Sequence, residues 1–79
     1  MIISVYTLKK PIFFRTAQSV TMKTAVGEIT VLKNHRPYIT FLRPGEIRIV
    51  DKNGKTDIIS ASRGLLEVLP GSRVNIFLR

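Results

Sequence analysis

The chain has 79 residues, no cysteine, and a formal net charge of +8 from thirteen Lys and Arg against five Asp and Glu. A domain of this length buries only about 60% of the surface its unfolded chain exposes, and the missing thiols exclude both disulfide staples and a thiolate metal site. At 44% hydrophobic residues the composition excludes a disordered tail, while the positive field favours acidic proteins, nucleic acid or an anionic membrane surface.

Met1-Ile2-Ile3-Ser4-Val5 has no basic lead and no cleavage pattern, so no signal peptide is expected. No apolar run approaches the ~20 residues that cross a bilayer as a helix, which makes a cytoplasmic protein the default.

Ile2 to Tyr6 is β-branched and aromatic and predicts a first strand. Lys9-Lys10-Pro11 is expected to break it, because Pro11 has no N–H for a ladder. Ile12-Phe13-Phe14 is a second short strand, and Ser19 to Thr24 alternates polar and apolar residues at period two. Gly27 punctuates, Ile29 to Leu32 follows, and the polar loop Lys33-Asn34-His35-Arg36-Pro37 interrupts the sheet pattern. Tyr38 to Leu42 is the next strand. Arg43-Pro44-Gly45 is a turn, and Glu46 to Val50 alternates again. Asn53-Gly54 predicts a type I′ hairpin, in which both central residues take φ > 0, with Thr56 to Ala61 pairing back. Ser62-Arg63-Gly64 breaks, Leu65 to Leu69 is a strand, Pro70-Gly71-Ser72 turns, and Val74 to Leu78 is the last strand. No window carries the 3.6-residue apolar period of a helix. The whole reads as an all-β fold, a small β-sandwich or barrel of about eight to ten strands.

Nothing in this pattern assembles a catalytic or metal site. His35 is alone, and a metal needs three or four ligands. As a general base it would be disfavoured by Lys33 and Arg36, so it reads as a loop histidine that bonds a turn or touches a partner. Glu28, Glu46, Asp51, Asp57 and Glu67 are scattered and read as solvated charge. No nucleophile elbow and no glycine-rich phosphate loop is present. The aromatics Tyr6, Phe13, Phe14, Tyr38, Phe41 and Phe77 sit in apolar strands, so core packing is expected for most of them. The basic residues are spread along the chain without a visible cluster. A free-standing basic β-barrel binding single-stranded nucleic acid is therefore the second reading, after protein docking. One feature favours docking: Val74, Ile76 and Leu78 share one pleat face with Phe77 opposite, and Tyr38 and Leu42 oppose Ile39 and Phe41. Apolar residues on both faces predict either a sandwich covered by another subunit or a corner between sheets.

The series Gly27-Glu28, Leu32, His35, Pro37, Arg43-Pro44-Gly45, Ile47-Arg48-Ile49, Ser62, Gly64, Leu66-Glu67-Val68 and Pro70 resembles the epsilon subunit of F-type ATP synthases over nearly the whole chain. Thr30, Lys33, Arg36 and Arg63 depart from that family's pattern and make the loop region more basic. The resemblance implies a ten-strand β-sandwich over residues 1–79, without the family's C-terminal helical hairpin and its inhibitory role. It also implies a non-catalytic central-stalk subunit that docks gamma onto the c-ring and couples ion-driven rotation to ATP synthesis. By position, Gly27, Glu28 and Ile29 would face the c-ring, and Thr7, His35, Arg36, Pro37 and Tyr38 would face gamma. No cofactor and no metal is implied, nucleic acid is not an expected partner, and the location is peripheral, on the cytoplasmic face of the energy-coupling membrane.

Overall fold

A computed structural model describes residues 1–7 and 11–79, with side chains described for 1–7 and 14–79. The described residues form strands and turns only, nine strands in all: β1 (Ile2–Thr7), β2 (Pro11–Thr16), β3 (Ser19–Thr24), β4 (Gly27–Leu32), β5 (Tyr38–Leu42), β6 (Gly45–Val50), β7 (Thr56–Ala61), β8 (Gly64–Leu69) and β9 (Arg73–Leu78). The all-β expectation holds, with nine strands where the family resemblance implies ten.

The sheet runs β2-β1-β9-β8-β5 and continues through β3 to β6 and β7, with β4 on the other edge of β3. A single residue pair, Thr24 with Leu42, joins the β5 side to the β3 side. The sheet thus curls into two layers, β2-β1-β9-β8-β5 and β4-β3-β6-β7, around one core. First and last strands lie side by side and parallel, Ile2 beside Arg73 through Thr7 beside Leu78, so the chain closes on itself.

Period-two alternation places the core. Ile3, Val5, Val20, Met22, Val31, Ile47, Ile49, Leu66, Val68, Val74 and Ile76 are all buried in one cluster drawn from both layers. Each such aliphatic side chain contributes about 1.5–3 kcal/mol by leaving water. Thr24, the buried polar side chain at the junction of the layers, is satisfied: its hydroxyl donates to the Gly27 carbonyl at 2.7 Å and accepts the Val26 N–H at 3.2 Å.

Two connections differ from the sequence reading. Lys9 and Lys10 lie outside the described residues, but Pro11 is the first residue of β2 rather than part of a break. A strand's opening position tolerates proline because no ladder N–H is yet required. The Asp51–Lys55 hairpin is not type I′, because Gly54 has a φ of 83° while Asn53 is not among the residues with positive φ. Instead the Gly54 N–H donates to the Asp51 carbonyl, and Asp51 Oδ1 accepts the N–H groups of Asn53 and Lys55. That is a type I turn followed by a left-handed glycine, organised by an aspartate that the dipeptide rule ignores. The turn expected at Arg43-Pro44 and the break expected at Ser62-Arg63 both fall between strands. They carry the chain between layers, from β5 to β6 and from β7 to β8.

Candidate docking faces

The loop singled out in the sequence is held from below. The His35 N–H donates to the Leu32 carbonyl at 3.1 Å, closing a turn whose third residue, Asn34, has a φ of 65°. Ser72, at the tip of the β8–β9 turn, also has a positive φ, of 57°. The two residues clasp each other: the Asn34 N–H donates to Ser72 Oγ at 3.1 Å, and the Ser72 hydroxyl donates to Asn34 Oδ1 at 3.3 Å. The Ser72 carbonyl in turn accepts the Ile2 N–H. His35 Nδ1 lies 2.7 Å from the Arg36 carbonyl, which can only accept, so the proton sits on Nδ1 and Nε2 faces outward. The ring lies 6.2 Å from that of Tyr38, tilted. Arg36 and Pro37 are exposed, and His35 and Tyr38 are half-buried.

The structure separates the expected site residues. Thr7 ends β1, at the opposite end of the sandwich from Ile2 and hence from the Ser72–Asn34 clasp, about 16 Å along a six-residue strand. It does not join His35, Arg36, Pro37 and Tyr38 in one cluster. Gly27 and Glu28 lie at that far end, after the two-residue Ala25-Val26 loop of the β3–β4 hairpin. Gly27 carries the positive φ of this turn, 115°. Glu28 is exposed, 3.8 Å from Arg48 across the polar outer face of β3. Ile29 points inward, half-buried against the core, so Glu28 is the side chain this segment presents.

The sequence shows apolar residues on both faces of β5 and β9, and the register gathers the outer ones on the face of β1-β9-β8-β5. Pairing sets Phe41 opposite Leu65, Leu65 opposite Phe77, and Phe77 opposite Tyr6, an apolar row across four strands. Phe41 is 70% exposed, and Ile39 and Phe14 on the adjacent row are 64% and 77% exposed. Tyr6 and Phe77 stack with ring centroids 5.3 Å apart. Core packing therefore does not hold for these aromatics: they stand on the far side of the pleat from Leu42, Leu66, Val5 and Ile76, which fill the core. The corresponding face of the other layer is mostly polar, with Thr21 and Thr30 sharing a 2.9 Å hydrogen bond and Lys23, Glu28, Glu46 and Arg48 around them; Leu32 and Ile58 are the large apolar side chains exposed there, and no aromatic residue is among them. The next row of this face runs Ile39, Glu67, Asn75, Ser4 and Phe14, so the exposed apolar side chains lie along one row and at the two ends of the next.

No group of three His, Cys, Asp or Glu residues among the described residues could hold a metal. A cleft of about 740 Å³ between the β2–β3 turn, Leu32-Lys33 and the Asp51–Lys55 hairpin is lined by Arg15, Lys33, Lys52 and Lys55 with one carboxylate, Asp51. Asp51 Oδ1 accepts two backbone N–H groups, which ties this carboxylate to its own hairpin.

A small β-sandwich with a clamped polar loop and one uncovered aromatic sheet face is a binding module. Residues 1–79 match the family model described as the ATP synthase delta/epsilon chain β-sandwich domain, and the chain belongs to that family. Against the ATP synthase epsilon chain of Acinetobacter baumannii it is 38% identical over 66 residues, covering 84% of this chain and 48% of the relative. It thus spans about half the length of the curated relatives that it matches. A chain of the Euglena gracilis mitochondrial ATP synthase, from a structure of OSCP, F1 and c-ring, superimposes with a TM-score of 0.92 at 25% identity, over 99% of this chain and 49% of that one. A chain of the Tetrahymena thermophila mitochondrial ATP synthase central stalk and c-ring shares the fold, with a TM-score of 0.81 at 16% identity, over 99% and 62%.

Proposed function

We propose that the chain acts as a non-catalytic central-stalk module of an F-type ATP synthase, docking gamma onto the c-ring so that ion-driven rotation couples to ATP synthesis. The observation that carries this reading is the row Phe41–Leu65–Phe77–Tyr6 on the outer face of one sheet, where the other sheet's outer face is mostly polar and carries no aromatic side chain. Gamma lies along the uncovered sheet. It meets His35, Arg36, Pro37 and Tyr38 at one end, and the end of β1 at Thr7 at the other. A partner of that length reconciles the two separated halves of the gamma-side set, since the strands between them span roughly 17–20 Å. Gly27, Glu28 and Ile29 belong to the end that meets the ring, with Glu28 supplying the exposed contact. The complex places the chain peripherally at the energy-coupling membrane. Its mechanical role asks only for stiffness: a closed sheet with a dry core transmits torque without chemistry of its own.

Binding of the chain to the gamma subunit of the same source tests this. A buried aromatic anchor is worth about 2 kcal/mol or more, so Phe41→Asp should weaken gamma binding roughly thirtyfold while leaving the unfolding midpoint unchanged. Retention by a single-stranded oligonucleotide without retention by gamma would instead favour the nucleic-acid reading.

A further inference from the structure

The strand register gathers three arginines that the sequence scatters. Leu42 pairs with Gly64 and Gly64 with Leu78, so Arg43, Arg63 and Arg79 follow directly on that row, and the Arg79 N–H donates to the Arg63 carbonyl at 3.0 Å. Pleat alternation puts each of them two residues from the apolar row, Arg43 after Phe41, Arg63 before Leu65, and Arg79 after Phe77. Arg63 and Arg79 therefore border the aromatic row at its end, while the Arg43 N–H donates to the Lys23 carbonyl of β3 at 3.0 Å, which sets Arg43 at the seam with the other layer. All three are exposed, and among the described residues the ion pairs are Arg15–Asp57 and Arg48–Glu28, so no carboxylate pairs with any of the three.

We propose that the partner surface seated on this sheet carries a matching line of Asp or Glu side chains that engage Arg43, Arg63 and Arg79. The inference rests on the docking reading above and adds the chemistry of the complementary surface. Three observations support it. Like charges on neighbouring strands, about 5 Å apart at Cβ, repel in the free chain, and a carboxylate line removes that repulsion. An aromatic centre bordered by arginine is the anatomy of a protein interface, and the guanidinium fork matches a carboxylate with two hydrogen bonds. The faces that a nucleobase would stack on are in part already taken, since Tyr6 and Phe77 stack on each other.

Association with gamma, measured at low and at high salt, tests the proposal. Arg63→Glu should slow association roughly tenfold at low salt and flatten its salt dependence, because charges bordering an interface act mainly on the encounter rate. Arg63→Gln should fall between the two, and replacing the facing gamma carboxylate by Lys should restore the Arg63→Glu variant. Thermal unfolding of the free variant, expected at or above the wild-type midpoint, shows that the fold is intact. An unchanged rate and salt dependence in a wild-type-like fold overturns the proposal while leaving the docking reading standing. Failure of the wild-type chain to bind gamma overturns both.

Discussion

At the scale of single residues, the fold depends on a few positions where backbone and side chain leave no alternative. Gly64 is the sharpest. A Cβ built there would lie 2.2 Å from the Phe77 carbonyl oxygen, an atom of the paired strand that cannot move aside without breaking the β8–β9 ladder. Gly64→Ala should therefore cost about 3 kcal/mol, the upper end of overpacking costs, seen as a lower urea midpoint. Gly54→Ala meets nothing within 4 Å, and its cost is only the left-handed φ of 83°, about 1–2 kcal/mol. If the two variants proved equally stable, the assigned close approach of β8 to Phe77 would be wrong. Gly64 appears in the sequence merely as punctuation. Its reason becomes visible only once the register places a carbonyl over it.

At the scale of elements, the strands were legible and their partners were not. Period two in Ser19–Thr24 and Glu46–Val50 gave both the strands and their buried faces, because one side of each is dry and the other wet. The 33–37 loop was legible as a polar interruption, but its support was not. Asn34 and Ser72 stand 38 positions apart and meet only through the β8–β9 turn. Both hold positive φ without being glycine, a conformation their mutual hydrogen bonds help to offset. Ser72→Ala should cost about 1 kcal/mol and raise amide hydrogen exchange at Asn34 and His35 without altering exchange in β8. Unaltered exchange at those two amides would show that the clasp does not hold the loop. The Asn53-Gly54 signal located its hairpin correctly and mistook the turn type, since Asp51 offers two N–H groups a side-chain acceptor that a type I′ turn would not use.

At the scale of the molecule, the missed feature was lateral. Phe41, Leu65, Phe77 and Tyr6 each look like core when read along their own strands, and Arg43, Arg63 and Arg79 look like scattered charge. Adjacency across strands is a property of register, which pattern alone does not supply. The fold makes a two-sided object: one outer face carries the exposed aromatic row with arginines at its end, and the other is mostly polar. With no cysteine in the chain, a single introduced thiol reports on either face without background. Ile39→Cys and Ile58→Cys place one probe on each exposed outer face, at positions 64% and 57% exposed, and leave the aromatic row intact. The decisive measurement is the alkylation rate of each thiol with and without the gamma subunit. Docking through the aromatic sheet predicts strong protection at position 39 and none at position 58. Equal protection at both positions, or protection at position 58 alone, would contradict it.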